Sequence, residues 1–228
     1  DDGERFRITQ PGVQGNGQTE LTEAIIGLQS KVSGSISLDG IELVGRSVKQ
    51  VIDAGVGFVP EDRTSDGLVG EFSVAENLIL NRSEGAPFFR AATLQRGVLR
   101  EFAEEKITEF DIRTQSAETA AGRLSGGNQQ KVVLARELSR TLKLFVASQP
   151  TRGIDVGSIE FVHKRIVETR DSGVPVIVVS TELDEVTALA DRIAVMYRGT
   201  IVGIVPGNAP RETLGLMMAG EVPTEVIA

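Results

Sequence analysis

A glycine-rich segment near the start of the chain has residues at the spacing needed to hold a phosphate group. In PGVQGNGQTELTEAIIGL (11–28), Gly12, Gly15 and Gly17 precede a stretch whose apolar residues have helical spacing. Glycines just before a helix let backbone N–H groups close around an anion at the positive helix end. The phosphate-loop spacing Gly-x4-Gly-Lys-Ser/Thr is met at Gly12, Gly17 and Thr19, but Gln18 stands at the lysine position.

That substitution leaves two interpretations open. Gln18 cannot supply the positive charge that neutralises β- and γ-phosphates, whereas the Thr19 hydroxyl could still bind a metal ion. A tight turn that packs a helix on a sheet explains the same glycines. Taken alone, the segment predicts either a phosphate site or a structural turn, built from the same residues in both cases: Gly12, Gly15, Asn16, Gly17, Gln18 and Thr19.

A second candidate lies where a short apolar run ends, in LFVASQPTRGID (144–155). A phosphate-handling α/β protein usually keeps its metal-holding carboxylate at such a place. Here the run ends in Ser148 and Gln149, and no acid follows until Asp155. Glutamine cannot act as a general base, and serine adds no negative charge beside a metal ion.

The most specific signal is AGRLSGGNQQKVVLARELSR (121–140), where Ser125 takes an N-cap position and Gly126 and Gly127 fall in the first helical turn. Each glycine weakens a helix interior by about 1 kcal/mol relative to alanine, and a helix end by less. Their use is to expose backbone N–H groups to an approaching anion. An ordinary capped helix explains Ser125 but not the paired glycines, so we predict an anion-binding helix start.

The elements that must position these residues alternate along the second half of the chain. Continuous Val/Ile runs predict strands covered on both faces, hence a mostly parallel sheet with flanking helices. We predict strands at 142–147, 174–180 and 191–197, a closing hairpin strand at 199–205, and helices at 157–173, 182–190 and 211–220.

The first half is mixed. SGSISLDG (33–40) predicts a hairpin arm and GVGFVPE (55–61) a strand, whereas 72–140 shows helical spacing and no strand pattern. Ahead of the glycine loop, DDGERFRITQ has only Phe6 and Ile8 as sizeable apolar residues, so the strand expected there is short and exposed or lacks residues. We predict an α/β core at 1–71 and 141–228 around a helical subdomain at 72–140.

Composition narrows the function classes. The 24 Lys+Arg against 32 Asp+Glu residues give a net charge of -8, which argues against a nucleic-acid or membrane-surface binder. The absence of cysteine excludes disulfides and thiolate metal sites, and a single histidine excludes a histidine-rich metal site. That residue, His163, lies mid-helix, where a structural or surface role is expected. No apolar run approaches the roughly 20 residues that span a bilayer, and we expect no signal peptide.

LSGGNQQK followed by ARELSR resembles the signature motif of ATP-binding cassette (ABC) transporter ATPases, in the form typical of sugar and nucleoside importers. GVGFVPEDRTSDGLV (55–69) is similar to the Q-loop region, with Glu61 where most cassettes have glutamine. QPTRGID (149–155) resembles the end of the Walker B strand and the D-loop, and VIVVSTELDEV (176–186) the H-loop strand. The resemblance covers the chain from Pro11 onward and implies an α/β P-loop NTPase fold, with a RecA-like, mostly parallel sheet core, antiparallel β elements and a helical signature subdomain.

In this family one cassette contributes the P-loop, the Walker B acids and the H-loop histidine, and a second cassette contributes the signature helix. Carried over by motif, the lysine, aspartate, glutamate and histidine positions are Gln18, Ser148, Gln149 and Thr181. All four lack the charge or proton-transfer capacity of the family residue, which implies a naturally degenerate site. The motifs for the facing site remain, with signature residues Ser125, Gly126, Gly127 and Gln129 and the D-loop residue Asp155.

The resemblance implies the C-terminal nucleotide-binding domain of a tandem importer ATPase for nucleosides or simple sugars. ATP and Mg²⁺ would bind mainly at the site of a companion nucleotide-binding domain. The other partners would be transmembrane permease subunits and, indirectly, a solute-binding protein, with no nucleic acid. Such a domain would lie at the cytoplasmic face of the cell membrane, and alone it would hydrolyse little or no ATP. A non-hydrolysing nucleotide sensor or scaffold is the alternative, and a non-transport ABC ATPase is a third.

Overall fold

The computed structural model describes residues 7–11, for which the backbone is given, together with 15–82 and 87–221. Its helices are α1 (Gln18–Ile26), α2 (Val48–Asp53), α3 (Val74–Asn77), α4 (Arg96–Glu109), α5 (Gly126–Leu138), α6 (Val156–Asp171), α7 (Leu183–Leu189) and α8 (Arg211–Met218). A π-helical turn at Arg63–Gly67 and a 3-10 turn at Ala121–Arg123 complete the helical elements of these residues. No helix in this part of the chain is both long and apolar enough to cross a bilayer.

The strands are β1 (Arg7–Pro11), β2 (Ser37–Leu38), β3 (Ile41–Glu42), β4 (Val56–Val59), β5 (Phe89–Arg90), β6 (Thr93–Leu94), β7 (Leu144–Ser148), β8 (Val176–Ser180), β9 (Arg192–Tyr197) and β10 (Thr200–Pro206). Six of them form one sheet in the order β10-β9-β1-β8-β7-β4. β9, β1, β8 and β7 pair in parallel, and β10 closes the edge antiparallel to β9. The predicted α/β architecture with a mostly parallel sheet and the closing antiparallel hairpin are therefore confirmed.

The inner strands are buried without alternation. Phe145, Val146 and Ala147 of β7 and Val178 and Val179 of β8 are at most 1% exposed. Consecutive buried residues require cover on both faces of the sheet, which is why these segments read as continuous apolar runs.

β1 is the strand expected ahead of the glycine loop. It has five residues, and its backbone pairs in parallel with β8 on one side and β9 on the other, so it lies inside the sheet. The strand is thus short, as one of the two alternatives has it, and the exposure that goes with that alternative stays a prediction. Backbone pairing on both sides holds a strand in place even where its own sequence carries few apolar residues.

The described residues form two compact units. The first comprises those within Asp1–Phe58, Leu142–Pro150 and His163–Ala228, and the second those within Val59–Thr141 and Thr151–Val162. In the first, α1, α2 and β7 share a cluster built on Ile25, Leu43 and Val146, and α7, α8 and β9 share another built on Val186, Ile193 and Leu214. The division predicted at residues 72 and 140 remains a prediction.

The second unit is centred on α5. Its residues Val132, Val133, Leu134 and Ala135 have no exposed surface, so burial extends around the helix and not along one predicted stripe only. The prediction that 72–140 contains no strand is wrong, because β5 and β6 pair as a hairpin at Phe89↔Leu94 and Arg90↔Thr93. Two-residue strands are too short to show the alternation by which strands are predicted.

Candidate functional site

The side chain of Ser125 caps α5 as the sequence predicts. Its Oγ accepts hydrogen bonds from the Asn128 backbone N–H at 3.4 Å and from Asn128 Nδ2 at 2.9 Å. The orientation of this amide is fixed, because Asn128 Oδ1 accepts the Arg113 N–H at 2.7 Å. Ser125 is exposed, and no described residue accepts a hydrogen bond from its hydroxyl. The hydroxyl can therefore donate to a group outside the unit, at the positive end of a 13-residue helix.

The paired glycines of this helix start have a second physical reason besides anion approach. A Cβ on Gly127 would overlap the Ser158 hydroxyl and would lie 2.7 Å from Asp155 Oδ2, while a Cβ on Gly126 would lie 2.5 Å from Arg63 Nη2. The D-loop and the start of α6 thus pack directly against the first turn of α5. Close packing inside the unit therefore requires glycine at 127, where the short Ser158 side chain is in the way, whereas a Cβ at 126 would mainly meet the movable end of Arg63.

Asp155, predicted as the D-loop acid, is tied to the start of α6. Its Oδ1 accepts the Ser158 N–H at 3.0 Å and its Oδ2 accepts the Ser158 hydroxyl at 2.7 Å. The Ser158 hydroxyl and amide hold the pKa of the Asp155 carboxyl below its usual value. The carboxylate is therefore ionised at neutral pH and has a fixed orientation beside Gly127.

The side chain of Lys131 lines the same cleft as Ser125 and Asp155. Lys131 Nζ donates at 2.7 Å to both the backbone oxygen and Oδ2 of Asp111, and it lies 4.6 Å from the centre of the Phe161 ring. The ammonium also holds the pKa of the Asp111 carboxyl below its usual value. A cleft of about 330 Å³ opens here, and its lining includes Ser125, Asn128, Lys131, Asp155, Ser158 and Phe161.

The Q-loop-like residue Glu61 is also connected to the D-loop. Glu61 Oε1 accepts a hydrogen bond from Arg152 Nη1 at 2.5 Å. Two residues later, Arg63 donates from Nη1 to the Arg152 carbonyl at 2.7 Å and from Nη2 to the Gly153 carbonyl at 3.1 Å. Gln129, the remaining predicted signature residue, turns its Nε2 toward the Ala121 carbonyl at 3.3 Å.

The first unit holds the predicted Walker B and H-loop positions, and it brings two of them together. Gln149 Oε1 accepts hydrogen bonds from the Thr181 N–H at 3.3 Å and the Thr181 hydroxyl at 3.4 Å. Gln149 has φ +47, and its N–H bonds the Val179 carbonyl at 2.7 Å. Ser148 ends β7 and is buried. An amide and a hydroxyl thus meet at the two positions for which the resemblance implies a base and an imidazole.

The glycine loop of the same unit is anchored to the turn between β9 and β10. Asn16 Oδ1 accepts the Arg198 N–H at 3.0 Å, and the Asn16 carbonyl accepts the Gly199 N–H at 2.9 Å. Gly15 and Gly17 have φ +94 and +99, conformations that side chains rarely adopt. Gly17 precedes α1, and the first glycine of the motif, Gly12, lies outside the described residues.

The residue at the lysine position acts on the loop itself. Gln18 is buried, and its Oε1 accepts the Asn16 backbone N–H at 3.1 Å. In a phosphate-binding loop such N–H groups face the anion. Here the Asn16 N–H already donates to the Gln18 carboxamide. Thr19, the weak metal candidate, is exposed.

A metal ion held by the protein alone needs several ligand side chains close together. Across 15–82 and 87–221, no group of three or more His, Cys, Asp and Glu side chains is placed to hold one. The end of β7 offers the Ser148 hydroxyl and the Gln149 carboxamide in place of carboxylates. His163 lies away from these positions in sequence and pairs with Glu185 at 3.0 Å, consistent with the structural role predicted for it.

Four residues around α5 escaped the sequence analysis: Arg63, Asn128, Lys131 and Ser158. Asn128 and Lys131 stand inside the quoted signature segment. Their position within four residues of Gly127 could have marked them as candidates. Arg63 likewise stands in the quoted Q-loop-like segment, two residues after Glu61, but its contact with the D-loop and the contact of Ser158 with Gly127 join segments distant in sequence.

Comparison with known proteins finds a family model, curated relatives and solved structures that match this chain. The family model described as ABC transporter matches residues 3–152. The chain is 44% identical over 94% of its length to the guanosine import ATP-binding protein NupO of Bacillus subtilis, and 45% identical over 92% to the nucleoside import ATP-binding protein NupA of Lactococcus lactis. It spans 42% of the length of each of these relatives. A dimeric ATP-binding cassette in a post-hydrolysis state, bound to ADP and Pi, has the same fold, with a TM-score of 0.75 at 20% identity over 92% of this chain and 88% of that one.

Proposed function

Because the chain belongs to the ABC transporter family, we propose that it is the degenerate, C-terminal cassette of a tandem importer ATPase for nucleosides or simple sugars. In this proposal the start of α5 completes an ATP site on a companion cassette. Hydrolysis there drives solute through transmembrane permease subunits. A solute-binding protein delivers the solute to these subunits. The cassette works at the cytoplasmic face of the membrane, and its own site has little or no hydrolytic role.

The observation that carries the proposal is the contrast between the two sets of motif residues. Gln18 satisfies a loop N–H, and Gln149 is hydrogen-bonded to Thr181, so these positions have neutral partners of their own. Ser125, by contrast, is exposed at a helix N-terminus, and its hydroxyl donates to no described residue. The start of α5 can therefore bind an anion, whereas the Gln18 and Gln149 positions lack catalytic groups. This contrast supports action at the site of a companion cassette.

The helix start fits the γ-phosphate of a bound nucleotide. The N–H groups of its first turn and the Ser125 hydroxyl would hold phosphate oxygens, and the helix dipole would favour their negative charge. ATP supplies the transferable phosphate and Mg²⁺ the charge that neutralises it, both held mainly by the companion cassette.

The relatives favour a tandem importer. The two relatives named above are import ATP-binding proteins, for guanosine and for nucleosides, and this chain matches less than half of either one. Their remaining length leaves room for a second cassette. Nucleosides are therefore the first solutes to assay, followed by simple sugars.

Two variants of the full-length protein, reconstituted with its permease, test this division of labour. Ser125→Glu places a negative charge where the γ-phosphate oxygens would lie, so we expect ATP hydrolysis to fall by roughly a hundredfold or more. Thr181→Ala alters only the degenerate site, and hydrolysis is expected to stay within about twofold of wild type. The opposite pattern, with Thr181→Ala inactive and Ser125→Glu active, would refute the proposal.

The alternative function, a nucleotide sensor that binds ATP without hydrolysing it, needs the chain's own glycine loop. The hydrogen bond from the Asn16 N–H to Gln18 Oε1 counts against it, because that donor is then engaged. Calorimetry with ATP and Mg²⁺ separates the two functions. Micromolar affinity of this chain without a companion cassette would favour the sensor.

A further inference from the structure

The π-helical turn Arg63–Gly67 is connected at both ends to the elements that surround Ser125. At its first residue, the Arg63 guanidinium bonds two successive D-loop carbonyls, those of Arg152 and Gly153. At its last residue, the Gly67 carbonyl accepts a hydrogen bond from Arg136 Nη1 at 2.7 Å, and Arg136 is a buried residue in the last turn of α5. The turn therefore joins the D-loop to the signature helix.

The geometry of the turn is fixed locally. Asp62 Oδ1 accepts the Thr64 and Ser65 N–H groups at 2.8 and 3.2 Å, which caps the turn at its start. These two N–H groups hold the pKa of the Asp62 carboxyl below its usual value. Gly67 is packed so closely that a Cβ there would lie 3.3 Å from Val133 Cγ2 of α5. π-Helical turns are rare in proteins.

Arginine is suited to this position for a specific reason. Its planar guanidinium presents donors at fixed angles and can bond two carbonyls at once, which a single ammonium group cannot do with the same geometry. Nη2 also lies where a Cβ on Gly126 would be 2.5 Å away, so the guanidinium packs directly behind the first residue of α5. Arg63 Nε is buried and has no hydrogen-bond partner among the described residues.

We propose that Arg63 is a positioning residue that sets the D-loop and the start of α5 for action on the companion's ATP. The ion pair between Glu61 and Arg152 is a second connection to the D-loop. Glu61 belongs to the segment that resembles the Q-loop, the loop that contacts the permease in this family. A displacement of that loop would therefore move the D-loop and Gly126 together. The inference rests on the proposed function, because it assigns Arg63 an effect on hydrolysis at a site that Ser125 completes.

The test uses the full-length protein with its permease and solute-binding protein in proteoliposomes. Arg63→Ala is expected to lower kcat for ATP hydrolysis by roughly ten- to a hundredfold, the effect of a misplaced catalytic element. The KM for ATP should stay within about twofold, since ATP is held mainly by the companion cassette. Arg63→Lys should restore only part of kcat, because lysine keeps the charge but not the two-carbonyl bridge. Arg90→Ala, an exposed arginine of the same unit, is the matched control.

Hydrogen–deuterium exchange of the same variants gives a readout independent of activity. Arg63→Ala should speed exchange in residues 151–158, with Arg63→Lys intermediate and Arg90→Ala unchanged. If Arg63→Ala has the same exchange and kcat as Arg90→Ala while Ser125→Glu is inactive, the role of Arg63 is overturned and the proposed function stays intact. Unchanged hydrolysis in Ser125→Glu would instead refute the proposed function, whatever the exchange shows. A parallel rise in the KM for ATP would also overturn the inference, because Arg63 would then act on nucleotide binding.

Discussion

Replacing Gly127 with alanine tests whether the signature glycines are required by packing or only by ligand approach. The new Cβ would overlap the Ser158 hydroxyl, lie 2.8 Å from Ser158 Cβ and lie 2.7 Å from Asp155 Oδ2. Ser158 is a buried residue in the first turn of α6. The hydroxyl can rotate away only by giving up its bond to Asp155, and the Cβ is fixed by the helix backbone. Both helices must therefore shift.

The magnitude follows from two opposing effects. Overpacking a close-packed site lowers the free energy of unfolding by about 1–3 kcal/mol, and contact with a backbone-fixed Cβ places this case toward the upper end. Alanine returns at most about 1 kcal/mol as the better helix former, and less in a first turn. We expect a net loss of about 2 kcal/mol, which for a chain of this length lowers Tm by roughly 4–8 °C.

Gly97 provides a matched control for the assay, which is thermal and urea unfolding of the purified chain. It is the second residue of α4, as Gly127 is the second residue of α5, and a Cβ there would meet nothing within 4 Å. Gly97→Ala should therefore stabilise slightly. Adding Ser158→Gly to Gly127→Ala should recover part of the loss relative to the sum of the two single variants, because it removes the Ser158 Oγ and Cβ and leaves only Asp155 Oδ2 close to the new Cβ. Equal stability of Gly127→Ala and Gly97→Ala would refute the packing argument.

Three further predictions concern other parts of the chain. Hydrogen bonds from the Ser35 hydroxyl and two backbone amides lower the pKa of Glu42 to about 2. The stability that the ionised carboxylate gains from these bonds is present above its ordinary pKa of 4.5 and is lost as pH falls through 2. Glu42→Gln should therefore make the free energy of unfolding depend less on pH over this range. Gln149→Glu should not restore ATP hydrolysis to the purified chain, since Gln18 still occupies the lysine position, and magnesium-dependent turnover by that variant would contradict this. Phe145→Ala should lower the free energy of unfolding by about 3–5 kcal/mol, measured by urea titration, because the side chain of Phe145 has no exposed surface.

Several elements of the fold could be predicted because their signals are local in sequence. The start of α5 at Gly126 follows from a serine cap and a downstream apolar run, and the inner strands follow from continuous Val/Ile segments. Boundaries differed by up to two residues at the compared strands, such as β8, predicted at 174–180 and found at Val176–Ser180. The β5–β6 hairpin was missed because its strands are too short to carry a period.

The sequence by itself determined the motif inventory: which residues stand at the loop, strand-end and signature positions, and that four of them lack catalytic groups. Only the tertiary structure decided what those residues contact. Gln18 bonds its own loop, Gln149 meets Thr181 across 32 positions, and Arg63 reaches the D-loop across 89 and 90 positions. The physical reason is that a cap or a period arises between near neighbours in sequence. Close packing of Gly127 on Ser158 arises only when distant segments fold against each other, and no local pattern of residues encodes that contact.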